Sequence, residues 1–471
     1  MPKKGSIVEG IDIVDLGTKG KVIGKKDGQV YLCKGAVPGD TINLQVRKNR
    51  KGHVEGIVDA ITSYSSDRVD PTCSHFEHCG GCSWQNFDYE KQLFFKEKQV
   101  KQQLNRIGGF ESYESFPILS SEEVYEYRNK LEFTFTQEGW LTPDKVSDPS
   151  IRKTPSLGFH VPGRFDWVLQ IDECHLQDSL NNEFRNFVHK TALELDISFY
   201  RQREKTGILR NLVLRNNRKN EWMVLLVVSE QTDLVHELCE KISTEFSQVT
   251  SLWLILNQKL NDSYADCPVV KVKGDDHLIE TFKNSATEAE VKYKIGPKSF
   301  FQTNAYQAER LYQLVFDWAE IEKSDLVYDL YTGTGTIALF MARYAKHVIG
   351  IEYVPESIED AKVNSELNEQ SNLSFYAGDM REVLSRDFID ENGRPDVLIT
   401  DPPRAGMHTD VIERILEAEP KRIVYVSCDP STQARDLKLL HEKYDLIKAQ
   451  AVDMFPHTSH VENVAMMRLR K

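Results

Sequence analysis

Three groups of residues have the types and spacing to do chemistry. The first is Cys428, in Val426-Ser427-Cys428-Asp429-Pro430, where an apolar strand ends. A thiol there is placed to act as a nucleophile if positive potential favours the thiolate, and Arg404 or a helix beginning near Ser431 would supply it. The second group is acidic. Asp401 leaves another strand in Thr400-Asp401-Pro402-Pro403-Arg404, with two prolines stiffening the backbone. In Asp453-Met454-Phe455-Pro456-His457-Thr458-Ser459-His460-Val461-Glu462, Glu462 opens the last strand, and Glu462, His457 and His460 are alternative general bases beside the thiol. The third group, Cys73, Cys79 and Cys82, is spaced Cys-x5-Cys-x2-Cys, which in a reducing compartment suggests zinc or iron–sulfur ligation.

A glycine-rich turn, Asp329-Leu330-Tyr331-Thr332-Gly333-Thr334-Gly335-Thr336, joins an apolar strand to an apolar helix. Glycine lets the backbone approach a ligand, and the helix start presents free N–H groups. The pattern is GxG rather than GxGxxG, and no P-loop lysine follows, so neither a dinucleotide pyrophosphate nor a nucleotide phosphate fits. The next strand ends at Glu352, 19 residues beyond Gly333, where a carboxylate can accept both ribose hydroxyls. The strand after that ends at Gly378-Asp379, placed to meet an adenine edge. A nucleoside cofactor follows, with S-adenosylmethionine the natural candidate.

The elements around these residues predict three parts within the 471 residues. Residues 1–62 read as five short strands with glycine turns, an OB-like barrel of the kind that binds nucleic acid. Residues 1–60 hold 11 Lys and Arg against 7 Asp and Glu, in a chain with net charge −13, so a local basic face survives an acidic total. Residues 63–295 read as a mixed α+β part that includes the cysteines, with a helix near 88–106 able to pack on the catalytic part. Residues 296–471 alternate strands and helices and end in two consecutive strands, predicting a doubly wound α/β sheet with an antiparallel edge, the class I (Rossmann-like) methyltransferase arrangement. Eight cysteines are too few for a disulfide scaffold, and no apolar run approaches a membrane span, so a soluble, cytoplasmic protein is expected.

With these stretches in view, the chain resembles the RNA uracil-C5 methyltransferases, in particular the iron–sulfur-containing bacterial 23S ribosomal RNA enzymes. The resemblance rests on Ser299-Phe300-Phe301-Gln302-Thr303-Asn304, the Asp329–Gly335 loop, Asp401-Pro402-Pro403-Arg404, Ser427-Cys428-Asp429-Pro430 and Phe455–Glu462. Tyr127-Arg128-Asn129-Lys130 and Gly207-Ile208-Leu209-Arg210-Asn211 extend it upstream, and the barrel resembles a TRAM domain. It implies cofactor contacts at Gln302, Tyr331, Glu352 and Asp401, with Asp379 added. It implies Cys428 as nucleophile, Glu462 as the base that removes the C5 proton, and Cys73, Cys79, Cys82 and Cys174 as ligands of a [4Fe–4S] cluster. It further implies ribosomal RNA as substrate, with transfer RNA as the alternative, and a monomer with no obligate protein partner. Ser459 and Asp429 depart from the glycine and asparagine expected there. A non-catalytic RNA-binding protein would have no reason to hold both Cys428 and Glu462, and Cys428 lacks the partner cysteine of the cytosine-C5 enzymes.

Overall fold

The computed structural model describes residues 2–17 and 20–471; Met1, Thr18 and Lys19, which fall in the predicted barrel, lie outside the described residues. The first five strands, Ile7–Leu16, Val22–Lys26, Gln29–Cys33, Thr41–Arg50 and His53–Ser63, close into a barrel. Alternation along them turns Ile11, Ile13, Ile42, Leu44 and Val46 inward. The fourth strand runs on through the basic residues Arg47, Lys48 and Arg50, and the reversal falls at Gly52, whose φ is +92°.

Seven strands form a second sheet in the order Val269–Gly274, Val249–Leu256, Trp222–Val228, Leu209–Asn216, Lys130–Thr136, Ser156–His160, Val168–Gln170. The fully apolar run Trp222–Val228 is buried on both faces, under the helices Leu180–Glu194 and Asp233–Glu245 on one side.

The C-terminal sheet has eight strands in the order Leu373–Ala377, His347–Glu352, Leu326–Leu330, Val397–Thr400, Arg422–Ser427, Glu462–Leu469, Tyr444–Val452, Glu114–Ser115. The first five are parallel, and Glu462–Leu469 runs antiparallel between Arg422–Ser427 and Tyr444–Val452. Two apolar cores cover its faces. The parallel strands all point their carboxyl ends at one edge, which is where such sheets take ligands. Nothing in the sequence points to Glu114–Ser115, which pairs parallel with the Tyr444–Val452 strand.

The helix Tyr89–Gln103 touches both ends of the molecule. Asp88 caps it by accepting from the Lys91 N–H at 3.1 Å. Phe95 joins the barrel core, while Val100 joins the core of the eight-stranded sheet. Among the described residues no helix is long and apolar enough to cross a membrane.

Candidate active site

A cleft of about 770 Å³ opens at the carboxyl edge of the eight-stranded sheet, and Gln302, Tyr331, Glu352, Asp379, Asp401, Cys428 and Glu462 all line it. Its glycine-loop end is built by left-handed backbone. Tyr331, Gly333 and Gly335 have φ of +62°, +56° and +77°, which turns the chain sharply from strand Leu326–Leu330 into helix Thr336–Ala342. A Cβ on Gly335 would come within 3.0 Å of the Ala361 Cβ, whereas one on Gly333 would meet nothing within 4 Å, so Gly333 faces open space. Asp329 braces the loop from beneath, accepting from the Thr332 hydroxyl at 2.5 Å and the Ala338 N–H at 3.1 Å. Burial raises its carboxyl to about 7.

Glu352 accepts the Gly333 N–H at 3.1 Å and the Val354 N–H at 3.0 Å, so its carboxylate is fixed against the loop. Asp379 is differently engaged: it caps the short helix Met380–Val383 and pairs with Arg381 at 2.5 Å, which lowers its carboxyl to about 2. Gln302 is held from the second sheet, where Asn129 donates its side-chain N–H to the Gln302 carbonyl at 3.0 Å and its backbone N–H to the Thr303 carbonyl at 2.8 Å.

At the other end, the antiparallel register pairs Ser427 with Asn463, and one further step sets Cys428 opposite Glu462. Burial, then the Glu462 and Asp401 carboxyls, raise the Cys428 thiol to about 11, with Arg404 pulling the other way. Burial and Asp401 raise Glu462 to about 8, again opposed by Arg404, and burial raises Asp401 to about 7. Helix Pro430–Leu440 does not lend its N-terminus to the thiol as expected, because the Asp429 carboxylate accepts the Ser431 N–H at 3.0 Å and caps it. In the resting protein Cys428 is therefore a thiol.

Of the two histidines, only His460 lines the cleft. His457, at φ +61°, sits behind it, stacked on Tyr125 with ring centroids 4.5 Å apart and with its Nδ1 3.2 Å from the Gln92 side-chain nitrogen. The loop carrying both is pinned by residues whose role has no local signal. Lys96, wholly buried, donates to Asp453 at 2.6 Å and to the Phe455 carbonyl at 3.1 Å, and Tyr89 donates to Asp453 at 2.9 Å. A lysine on a helix face reads as solvated, and only its partner 357 positions away shows otherwise.

Cys73, Cys79, Cys82 and Cys174 line one small cavity on the second sheet's side, against Phe159 and Ile171. The Gly81 N–H donates to the Cys79 sulfur at 3.4 Å and the Gln85 amide to the Cys82 sulfur at 3.2 Å. The donors are right in kind and number for a [4Fe–4S] cluster. Among the described residues, however, no group of three or more His, Cys, Asp or Glu side chains is arranged to hold a metal ion.

A doubly wound sheet with one antiparallel strand, Glu462–Leu469, near its edge, bearing a GxG turn backed by an acid, defines a class I methyltransferase fold. Residues 270–470 match the family described as tRNA (Uracil-5-)-methyltransferase. An RNA methyltransferase of Bacteroides thetaiotaomicron is 48% identical over 460 residues, covering 97% of this chain and 100% of that protein. One of Porphyromonas gingivalis is 46% identical over 97% of this chain and 99% of its own length. The crystal structure of Pyrococcus abyssi tRNA (uracil-54, C5)-methyltransferase in complex with S-adenosyl-L-homocysteine is similar at a TM-score of 0.74 and 29% identity, over 98% of this chain and 100% of that one. The chain belongs to the family of RNA methyltransferases that these relatives represent, with the tRNA (Uracil-5-)-methyltransferase match confined to residues 270–470.

Proposed function

We propose that this protein methylates C5 of a uridine in RNA, with S-adenosylmethionine as methyl donor and Cys428 as covalent nucleophile. The observation that carries the reading is that Cys428, one residue beyond the strand Arg422–Ser427, and Glu462, which opens the antiparallel strand beside it, both line the cleft that also contains the Glu352-backed glycine loop. Gln302, Tyr331, Glu352, Asp379 and Asp401 would hold the donor, and the open space before Gly333 suits it. Bound there, the donor supplies an electrophilic methyl group on its sulfonium.

The chain's own residues do the rest. Uracil C5 is a poor nucleophile. Addition of the Cys428 thiolate at C6 makes it an enolate carbon able to take the methyl group. Glu462 then takes the C5 proton, and the electron pair expels the Cys428 thiolate. A carboxyl at about 8 releases and accepts protons near neutral pH, which suits this task. Asp401, also raised, shares the site without reaching a strand partner of the thiol. The uridine must leave its stack to enter the cleft, which favours a loop or single-stranded target.

The family resemblance makes ribosomal RNA the first substrate to test, in the cytoplasm, and the likeness to a tRNA (uracil-54, C5)-methyltransferase makes transfer RNA the second. The barrel we read as a TRAM-type RNA-binding element and the four cysteines as holding a [4Fe–4S] cluster, which would require their loops to draw together. Incubating the protein with labelled donor and separately purified ribosomal and transfer RNA, then mapping 5-methyluridine, tests the reaction and its target. No methyl incorporation into either RNA would refute it.

A further inference from the structure

Two arginines stand behind the cavity that the four cysteines line. Arg185, on helix Leu180–Glu194, is wholly buried and grips the turn that carries Cys174. Its Nε donates to the Ile171 carbonyl at 2.9 Å and its Nη2 to the Asp172 carbonyl at 2.6 Å. Its Nη1 donates at 3.0 Å to the Asn182 side-chain oxygen, which also accepts the Cys174 N–H at 2.7 Å. Arg128 is tied to the chain just past that turn, donating its backbone N–H to the Leu176 carbonyl at 2.7 Å. Its guanidinium carbon lies 5.8 and 5.4 Å from the Tyr127 and Phe455 ring centroids, and its Nε is buried with no hydrogen-bond partner.

Neither guanidinium has a carboxylate partner: among the described residues neither forms an ion pair. Every acceptor that Arg185 meets is a neutral carbonyl or amide oxygen. The acids that face it are engaged or outside. Glu173 accepts from the Ser74 hydroxyl at 3.1 Å and stands 3.7 Å from the His175 Nε2, and Asp172 is exposed. Burial disfavours the thiolate at Cys73, Cys82 and Cys174; the cations that oppose it are Arg185 at Cys73, Arg128 at Cys82 and both at Cys174. Arg215 shows that carbonyls alone can hold one buried guanidinium, since it donates to those of Gly296 and Ser299. Two guanidinium groups beside one cavity, one of them with an unfilled donor, make a standing positive potential, which is costly unless an anion sits within it.

Resting on the reading of the four cysteines as a metal site, we propose that Arg185 and Arg128 are its built-in counter-charge, so that the site is made for four thiolates rather than four thiols. Four thiolates around one zinc ion, or around a doubly positive [4Fe–4S] core, leave a net charge of about −2, which two guanidinium groups cancel. The pair favours the loaded site over its metal-free form through charge, without ligating the metal. Both arginines belong to the second sheet and its helix, so the potential is in place before the cysteine loops draw together.

The rate at which excess EDTA strips metal from the full chain, isolated anaerobically and first assayed for iron and zinc, tests this without using turnover. Arg128→Gln is expected to lose metal on the order of tenfold faster, the effect of one unit charge acting across several ångströms of protein. Arg128→Lys should stay close to the parent because it keeps the charge, whereas a role in packing on Phe455 would make the two variants alike. Arg185→Gln should speed the loss at least as much, since it also frees the Cys174 turn. In the iron-loaded protein, dye-mediated reductive titration should show the reduction potential moving lower in Arg128→Gln and returning in Arg128→Lys. S-adenosyl-L-homocysteine affinity by calorimetry should match the parent in both Arg128 variants. Should Arg185→Gln fail to fold, the two Arg128 variants decide the question. Equal rates of metal loss in Arg128→Gln and Arg128→Lys, whether slow or fast, overturn the counter-charge and leave the metal reading standing. Zinc in place of iron overturns the cluster and leaves the counter-charge standing. A chain that carries neither metal overturns both.

Discussion

Replacing Glu462 by glutamine separates the two halves of the proposed chemistry. In the parent protein burial is the main reason Cys428 stands at about 11, and the facing Glu462 carboxyl is the next. At pH 7 only about one thiol in ten thousand is then ionised. The amide carries no charge at any pH, so Glu462→Gln should lower the Cys428 pKa and speed its addition to C6. Proton removal should fail, because the amide is no base. With labelled RNA and S-adenosylmethionine, the variant should therefore accumulate a denaturant-resistant protein–RNA adduct, while turnover falls by about 10² to 10⁴, the usual worth of a general base. The parent should show the complementary pH dependence. With Glu462 at about 8, its ionised fraction rises from about one-tenth at pH 7 to one-half at pH 8, so single-turnover resolution of the adduct should quicken about fivefold and level off above pH 9. Iodoacetamide labelling of Cys428, followed by peptide mass spectrometry across pH, reads the thiol independently of RNA. Full turnover in Glu462→Gln, or adduct trapping in a His460 variant instead, would refute the assignment of the base.

Three further outcomes follow from the same geometry. Asp329, Asp401 and Glu462 all have folded values raised above those of ordinary carboxyls, to about 7, 7 and 8, so the stability tied to their protonation is complete below about pH 4 and lost as pH rises through those values. Melting temperature should decline between pH 5 and 9, and Asp401→Asn or Glu462→Gln should flatten that decline in a thermal scan. Gly335→Ala places a Cβ at φ +77° and within 3.0 Å of Ala361, so it should cost roughly 1–2 kcal/mol in denaturant titration, whereas Glu352→Ala should mainly weaken donor binding by calorimetry. Anaerobically prepared protein should contain about four irons per chain if the four cysteines hold a [4Fe–4S] cluster, and Cys79→Ser should lose iron before it loses donor binding; one zinc and no iron would overturn the cluster.

The C-terminal sheet is legible in the sequence because its parallel strands are short runs, mostly apolar, each followed within a few residues by Gly, Asp or Pro. A parallel strand leaves its chemistry at its carboxyl end, so Glu352, Asp401 and Cys428 read as neighbours from their positions along the chain alone. The hairpin Leu278–Lys283 with Glu290–Ile295 escapes such a reading, since its alternating lysines and glutamates resemble a polar loop. Glu114–Ser115 has no local signal at all: two exposed polar residues become a strand only because the distant Tyr444–Val452 strand has a free edge. The thiol's environment is equally hidden. The helix beginning near Ser431 reads as a source of positive potential, and only the hydrogen bond from the Ser431 N–H to Asp429 shows that a carboxylate caps it.

The same limit explains how the cysteine segment and the catalytic loop come to be one structure. Ser83 and Trp84, directly after Cys82, donate their backbone N–H groups to the His457 carbonyl at 2.8 and 3.0 Å. Gln92 closes the ring, accepting the His457 N–H at 3.0 Å while donating to the Trp84 and Phe87 carbonyls at 2.9 and 2.7 Å. Lys96, one helical turn on, holds Asp453 and Phe455. Helix Tyr89–Gln103 thus presents one face to a loop more than 350 positions away, which Tyr127 and Asn304 also hold by donating to the Pro456 and Met454 carbonyls, each at 3.0 Å. Because buried polar groups are costly when left unpaired, this loop has little freedom to move while the residues after Cys82 stay in place. The placement of His460 and Glu462 therefore depends on the cysteine segment through hydrogen bonds rather than through any contact between the thiols and the cleft.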